Sequence, residues 1–94
     1  MVKGKTKSGI KFQINETIRE DTRLLYLLVQ IQSKDVPVEK KSQIVFDMLT
    51  LIFGHDGVMP FMNEVAEKHD GVCSTESMLA ELNEILESLN AKNS

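Results

Sequence analysis

Leu24-Leu25-Tyr26-Leu27-Leu28-Val29-Gln30-Ile31 is the stretch that decides the fold class of this chain. Seven of its eight residues are apolar or aromatic. Leucine loses little rotamer freedom in a helix, so the run reads as helical. It is too short to cross a bilayer, which takes about 20 apolar residues. Its apolar arc is wider than the stripe of an ordinary surface helix. Such a segment meets protein on more than one side. Either it is the central helix of a small domain, or one of its faces is kept for a partner.

The run belongs to a helix expected to begin at Asn15 or Thr17 and to reach Gln32. Thr17 with Glu20 fits a capping box, and Glu16, Glu20 and Asp21 suit the positive end of the helix dipole. Ile18, Leu24, Leu25, Leu28 and Ile31 form the expected inner face, which Tyr26, Leu27 and Val29 widen. Arg19 and Arg23 lie within reach of Glu16 and Glu20.

Toward the N-terminus, Ile10-Lys11-Phe12-Gln13-Ile14 alternates with period two and places Ile10, Phe12 and Ile14 on one face of a strand. Lys7-Ser8-Gly9 is a turn signal, so residues 2–14 read as a β-hairpin or short ribbon. Two strands alone are marginal in water, so their apolar face must pack on helices or on another subunit. Toward the C-terminus, Ser33-Lys34-Asp35-Val36-Pro37 is a connector. A second helix is expected from Val38 to Phe53, with Ile44, Val45, Met48, Leu49, Ile52 and Phe53 as its stripe and Gly54 as a left-handed cap. A third, from about Pro60 to His69, turns Phe61, Met62, Val65 and Ala66 inward. Asp70-Gly71 closes it. Ser74 or Thr75 caps a fourth, reaching about Asn90, with Met78, Leu79, Leu82, Ile85, Leu86 and Leu89 as its stripe. Glu76, Glu81, Glu84 and Glu87 are read as its solvated acidic face.

The expected fold is therefore mainly α: an N-terminal β-hairpin or short strand, then about four helices in a compact bundle. Residues 1–94 form one domain, with a ribbon over 2–14, a helical body over 15–90 and a frayed tail over 91–94. Charged residues at 27% and hydrophobic residues at 41% fit a globular chain with one modest core. A single cysteine, Cys73, excludes an internal disulfide framework. With no apolar leader after Met1-Val2-Lys3, the expected location is the cytoplasm. The net charge of −3 is unevenly spread. Lys3, Lys5, Lys7 and Lys11 precede the first acid, and an acidic body follows.

Candidate chemistry is sparse. Gly4-Lys5-Thr6 lacks the earlier glycine, preceding strand and following helix of a phosphate loop. His55, His69 and Cys73 are too few and too scattered for a structural zinc site. Cys73 with His69 lacks an orienting group and an oxyanion hole. No catalytic residue, cofactor or metal site is assigned. Met48, Met59, Met62 and Met78 are numerous for so short a chain. Met-rich apolar surfaces repack readily around helical partners.

The order of short signatures carries a family resemblance. Lys7-Ser8-Gly9-Ile10-Lys11-Phe12-Gln13-Ile14-Asn15-Glu16 opens the chain. A leucine-rich helix ending Leu28-Val29-Gln30-Ile31 follows, then an aliphatic helix closing on Leu51-Ile52-Phe53-Gly54 and the Asp70-Gly71 turn. Met78-Leu79-Ala80-Glu81-Leu82-Asn83-Glu84-Ile85 and Lys92-Asn93-Ser94 finish it. This arrangement resembles the small tail assembly chaperones of long-tailed phages and prophages of Gram-positive bacteria, over almost the whole chain. It departs in the middle, where the third helix is less acidic and the next segment begins Val58-Met59-Pro60-Phe61.

The resemblance implies a non-enzymatic protein of the host bacterial cytoplasm that self-associates. Its implied partners are the helical tape measure protein, which it keeps soluble, and the tail tube protein, which it helps to recruit. It also implies that a longer product could begin near Lys92-Asn93-Ser94. Leu24, Leu27, Leu28, Ile31, Met48, Phe53, Phe61 and Met62 are the candidate protein-contact residues. The alternative is a small nucleic-acid-binding regulator that uses the basic N-terminal ribbon, at variance with the acidic body.

Overall fold

A computed structural model describes residues 1–91 of the chain. Strands β1 (Val2–Lys5) and β2 (Lys11–Ile14) form an antiparallel hairpin. Four helices follow: α1 (Thr22–Gln32), α2 (Val38–Phe53), α3 (Val58–Lys68) and α4 (Thr75–Ala91). The tail expected over 91–94 lies, from 92 onward, outside the described residues.

The hairpin register pairs Val2 with Ile14 and Gly4 with Phe12. Directly opposed residues share a face, so Val2, Gly4, Phe12 and Ile14 all look inward. Val2, Phe12, Ile14 and the adjoining Ile10 are buried. Gly4 is what makes room for the Phe12 ring, since a Cβ there would lie 2.5 Å from Phe12 Cζ. Gly4→Ala is therefore expected to destabilise the fold by about 1–2 kcal/mol, the ring displacement outweighing the entropy removed from the unfolded chain. A urea titration checks this; an unchanged or higher midpoint would contradict the packing. The loop closes through the Thr6 N–H to Ile10 C=O bond (2.9 Å) and the Gly9 N–H to Thr6 C=O bond (2.9 Å). Gly9 has φ of 104°, which a residue with a Cβ adopts only with strain.

The expected first helix is split in two. A 3₁₀ segment covers Glu16–Glu20, capped by Asn15, whose side chain accepts the Thr17 N–H at 3.0 Å. The chain then extends at Asp21 and restarts as α1, with the Asp21 carboxylate capping the Arg23 N–H at 2.9 Å. This break replaces the Thr17–Glu20 capping box. It also changes the ion pairing: Arg23 forks onto Asp21 rather than Glu20. It sets the phase of α1 as well. Leu24 and Leu27 are buried, whereas Leu25, assigned to the inner face, is 59% exposed.

Helix α2 is the centre of the bundle, in contact with α1, α3 and α4, and its bounds are those expected. Ile44, Val45, Met48 and Leu49 are buried along it. Gly54 ends it at φ 81°, ψ 162°, a positive φ with extended ψ rather than a left-handed cap, because a 3₁₀ turn at His55–Gly57 follows at once. That turn leads directly into α3, which therefore starts at Val58, two residues before the expected Pro60. Pro60 falls in the first turn, where its missing N–H costs nothing. Phe53 stacks on Phe61 across this corner, with ring centroids 4.7 Å apart.

Helix α3 ends in a Schellman arrangement, with the Gly71 N–H donating to the Ala66 carbonyl at 2.7 Å and Asp70 at φ 59°. Ser74 then caps α4, accepting the Ser77 N–H at 3.0 Å. Met78, Leu82, Ile85 and Leu89 of α4 complete the core beneath β1. Among the described residues, no single helix is long and apolar enough to cross a membrane.

Candidate functional site

Two groupings of side chains stand out from the packed core. One is polar and internal; the other is apolar and open.

The polar grouping centres on Glu81, which is 2% exposed and lies within the apolar stripe of α4. Its Oε2 accepts hydrogen bonds from Ser8 Oγ at 2.7 Å and His69 Nε2 at 2.8 Å. Its Oε1 is buried without a hydrogen-bond partner in good geometry. One turn along, Glu84 Oε1 accepts the Lys7 N–H at 2.8 Å. Burial pushes the Glu81 carboxyl up. The donors Thr6, His69 and Ser8 and the charge of His69 outweigh that, so its pKa lies below the usual carboxylate range. These two glutamates are therefore not the solvated face expected of them. They hold the hairpin turn, and Glu81 ties it to the end of α3. The Schellman turn places His69 for this, because it is the last residue before the chain reverses.

This carboxylate, with Ser8 and His69 on one oxygen, ties the hairpin turn and the end of α3 to α4. Burial pushes the Cys73 thiol up, which disfavours the reactive thiolate. Among the described residues, no three His, Cys, Asp or Glu side chains gather in a way that would hold a metal ion.

The apolar grouping lies on α1 and α2. Helix α1 leans chiefly on α2, and its outer side is exposed among the described residues. Leu25, Tyr26 and Val29 stand there at 59–62% exposure. Gln30 Nε2 donates to the Tyr26 hydroxyl at 2.9 Å, which steadies the ring one turn away. Beside this ridge runs an open groove of about 470 Å³. Thr22, Arg23, Tyr26 and Leu27 of α1 form one wall, and Asp47, Thr50 and Leu51 of α2 form the other. A smaller hollow of about 120 Å³ lies on the opposite flank of α1, between Leu24, Leu25 and Leu28 and Leu86 and Leu89 of α4.

The eight candidate contact residues fall differently from this surface. Leu24, Leu27, Met48 and Phe61 are buried in the core. Leu28, Ile31, Phe53 and Met62 are half-buried and packed against it. Leu27 alone among them reaches the larger groove, as part of its wall. Thr22, Asp47, Thr50 and Leu51 were not foreseen as site residues. The available signal was their helical spacing, Thr22 to Tyr26 and Asp47 to Leu51, each pair on one face of its helix.

The basic hairpin offers a third surface. Lys5 and Lys11 stand directly opposite each other on its outer face, with Lys3 two pairs further along. None of these lysines is in an ion pair among the described residues.

The chain matches no family model, no curated protein and no solved structure.

Proposed function

We propose that this protein is a non-enzymatic helix-binding chaperone that holds an apolar helical segment of a larger assembly protein along α1 and α2. One observation carries the proposal: an exposed apolar ridge, Leu25, Tyr26 and Val29, beside an open groove between two helices. Contiguous exposed apolar surface beside a groove is the kind of feature that marks an interaction site. Both walls are helices whose backbone bonds are internal, so they offer no strand edge to an extended peptide. A helix arrives with its own backbone satisfied and can bury a row of side chains there.

The resemblance to phage tail assembly chaperones gives this reading a client. In that reading the tape measure protein is the helical guest, the tail tube protein is recruited later, and copies of the chain associate along the guest. The setting is the bacterial cytoplasm.

Co-expression with an apolar helical segment of a tape measure protein tests the proposal. The segment is expected to remain soluble and to co-purify. Tyr26→Asp together with Leu25→Asp should abolish co-purification while leaving the circular dichroism spectrum unchanged, since both side chains are exposed. A segment that precipitates equally with and without the chain would overturn the reading.

A second reading has one observation in its favour. Like charges directly opposed across a hairpin are unfavourable, and Lys5 against Lys11 is such a pair. A nucleic-acid backbone would relieve it. That reading requires a gel shift at near-physiological salt that weakens steeply as salt rises and depends on Lys3, Lys5 and Lys11.

A further inference from the structure

We infer that the groove between α1 and α2 selects an amphipathic helix carrying a lysine or arginine at the edge of its apolar stripe, and that Asp47 makes the selection. The inference rests on the helix-docking reading above and specifies its guest.

The charges on the two walls are unequal in availability. Arg23 is already neutralised, with Nε 3.0 Å from Asp21 Oδ1 and Nη2 2.7 Å from Asp21 Oδ2. That fork also serves the cap of α1, so a guest anion would have to compete with Asp21 for Arg23. Asp47 stands on the opposite wall and is exposed. It accepts one hydrogen bond, from Gln43 Nε2 to Oδ1 at 3.0 Å, and has no cationic partner among the described residues. The Thr50 hydroxyl is turned back onto the Phe46 carbonyl at 2.9 Å. The groove thus presents an apolar centre, formed by Tyr26, Leu27 and Leu51, with one uncompensated negative charge on its lip. A guest helix seated on that centre places its flanking residues against α2. A cation there gains Asp47; an anion there meets repulsion from Asp47 and must compete with Asp21 for Arg23.

Two synthetic helical peptides of about 20 residues, beyond the length at which isolated helices are marginal, provide the probe. They share one leucine stripe and differ only in lysine or glutamate at the flanking position. Binding to the full chain is measured by calorimetry at low and moderate salt. The lysine peptide is expected to bind about fivefold more tightly, equivalent to about 1 kcal/mol. That preference should shrink with salt. Asp47→Asn should erase it and Asp47→Lys should reverse it, with circular dichroism confirming the fold of both. Equal binding of the two peptides, or a preference that survives both substitutions, overturns the charge selection while leaving helix docking in place. If neither peptide binds, the docking reading itself fails. A concentration-dependent dimer that Tyr26→Asp disrupts would assign the groove to a second copy and would also overturn the inference.

Discussion

Leu27→Asp is expected to cost about 3–4 kcal/mol of stability, whereas Tyr26→Asp, the adjacent residue, should change it by about 0.5–1 kcal/mol or less. The two positions differ by one step of a helix and by their surroundings. Leu27 is 9% exposed and Tyr26 is 61% exposed. An aspartate at 27 would place a carboxylate against the α1–α2 contact with no cation to meet it, since Arg23 is engaged by Asp21. Unfolding free energies for such domains are about 5–15 kcal/mol, so Leu27→Asp removes a large share of the total. Paired urea titrations of the two variants check this. Comparable midpoints would mean that α1 is turned differently about its axis. The result also decides which substitution can report on binding. A charge at Leu27 disturbs partner contact through the core, so the Tyr26 ridge is the place to alter binding with the fold intact.

The second large effect is expected at Glu81. Removing its carboxylate with Glu81→Ala leaves Ser8 Oγ and His69 Nε2 without their acceptor and opens a gap in the α4 stripe. Both partners are only part-buried and can recover some hydration, so the expected loss is about 2–3 kcal/mol. For a domain of this size that corresponds to roughly 10–20 °C in Tm. Glu81→Gln keeps one acceptor but directs an amide N–H₂ toward the buried position where Oε1 lacks a partner. It should cost about 1–2 kcal/mol.

The carboxyl also imposes a pH dependence of known sign. Its folded pKa lies below the unfolded value, so the unfolded chain takes up the proton first. The contribution is complete above the ordinary glutamate range, about 4.3, and is lost as pH falls through the lower folded value. Stability measured from neutral pH into acid should therefore fall less steeply in Glu81→Gln than in the parent chain. Identical slopes would show that Glu81 binds its proton equally in both states and is not held as described.

Where the sequence reading succeeded, strong punctuation met clear periodicity. Helix α2 lies between Pro37 and Gly54 and carries apolar residues at regular helical spacing, so its bounds and its buried face were both legible. The β2 strand was legible for the same reason, with lysine and glutamine alternating against Ile10, Phe12 and Ile14. The Leu24–Ile31 run was the opposite case. An almost wholly apolar stretch has no phase of its own, and nothing in it separates Leu25 from Leu27. The phase came from outside, from the restart of the chain at Asp21. Glu20-Asp21-Thr22 contains neither glycine nor proline, so that restart had no local mark.

Glu81 was misassigned for a different reason. Its spacing was informative: Met78, Glu81, Leu82 and Ile85 follow the three- and four-residue intervals of one helix face. Its charge outweighed that spacing in the reading, because an unpaired buried glutamate is rare. The partners that make it tolerable, Ser8 and His69, lie 73 and 12 residues away. The groove was illegible on similar grounds. Its two walls come from separate helices, and their mutual placement follows from how α1 leans on α2, not from either stripe alone.

The most direct test of the groove is a titration of the isotope-labelled chain with the lysine-flanked helical peptide, followed through backbone amide shifts by NMR. The account predicts saturable shifts centred on Thr22, Tyr26, Asp47, Thr50 and Leu51, with the hairpin amides of Lys3 to Lys11 unmoved. Shifts centred on the hairpin, or no saturable shift at all, would contradict it.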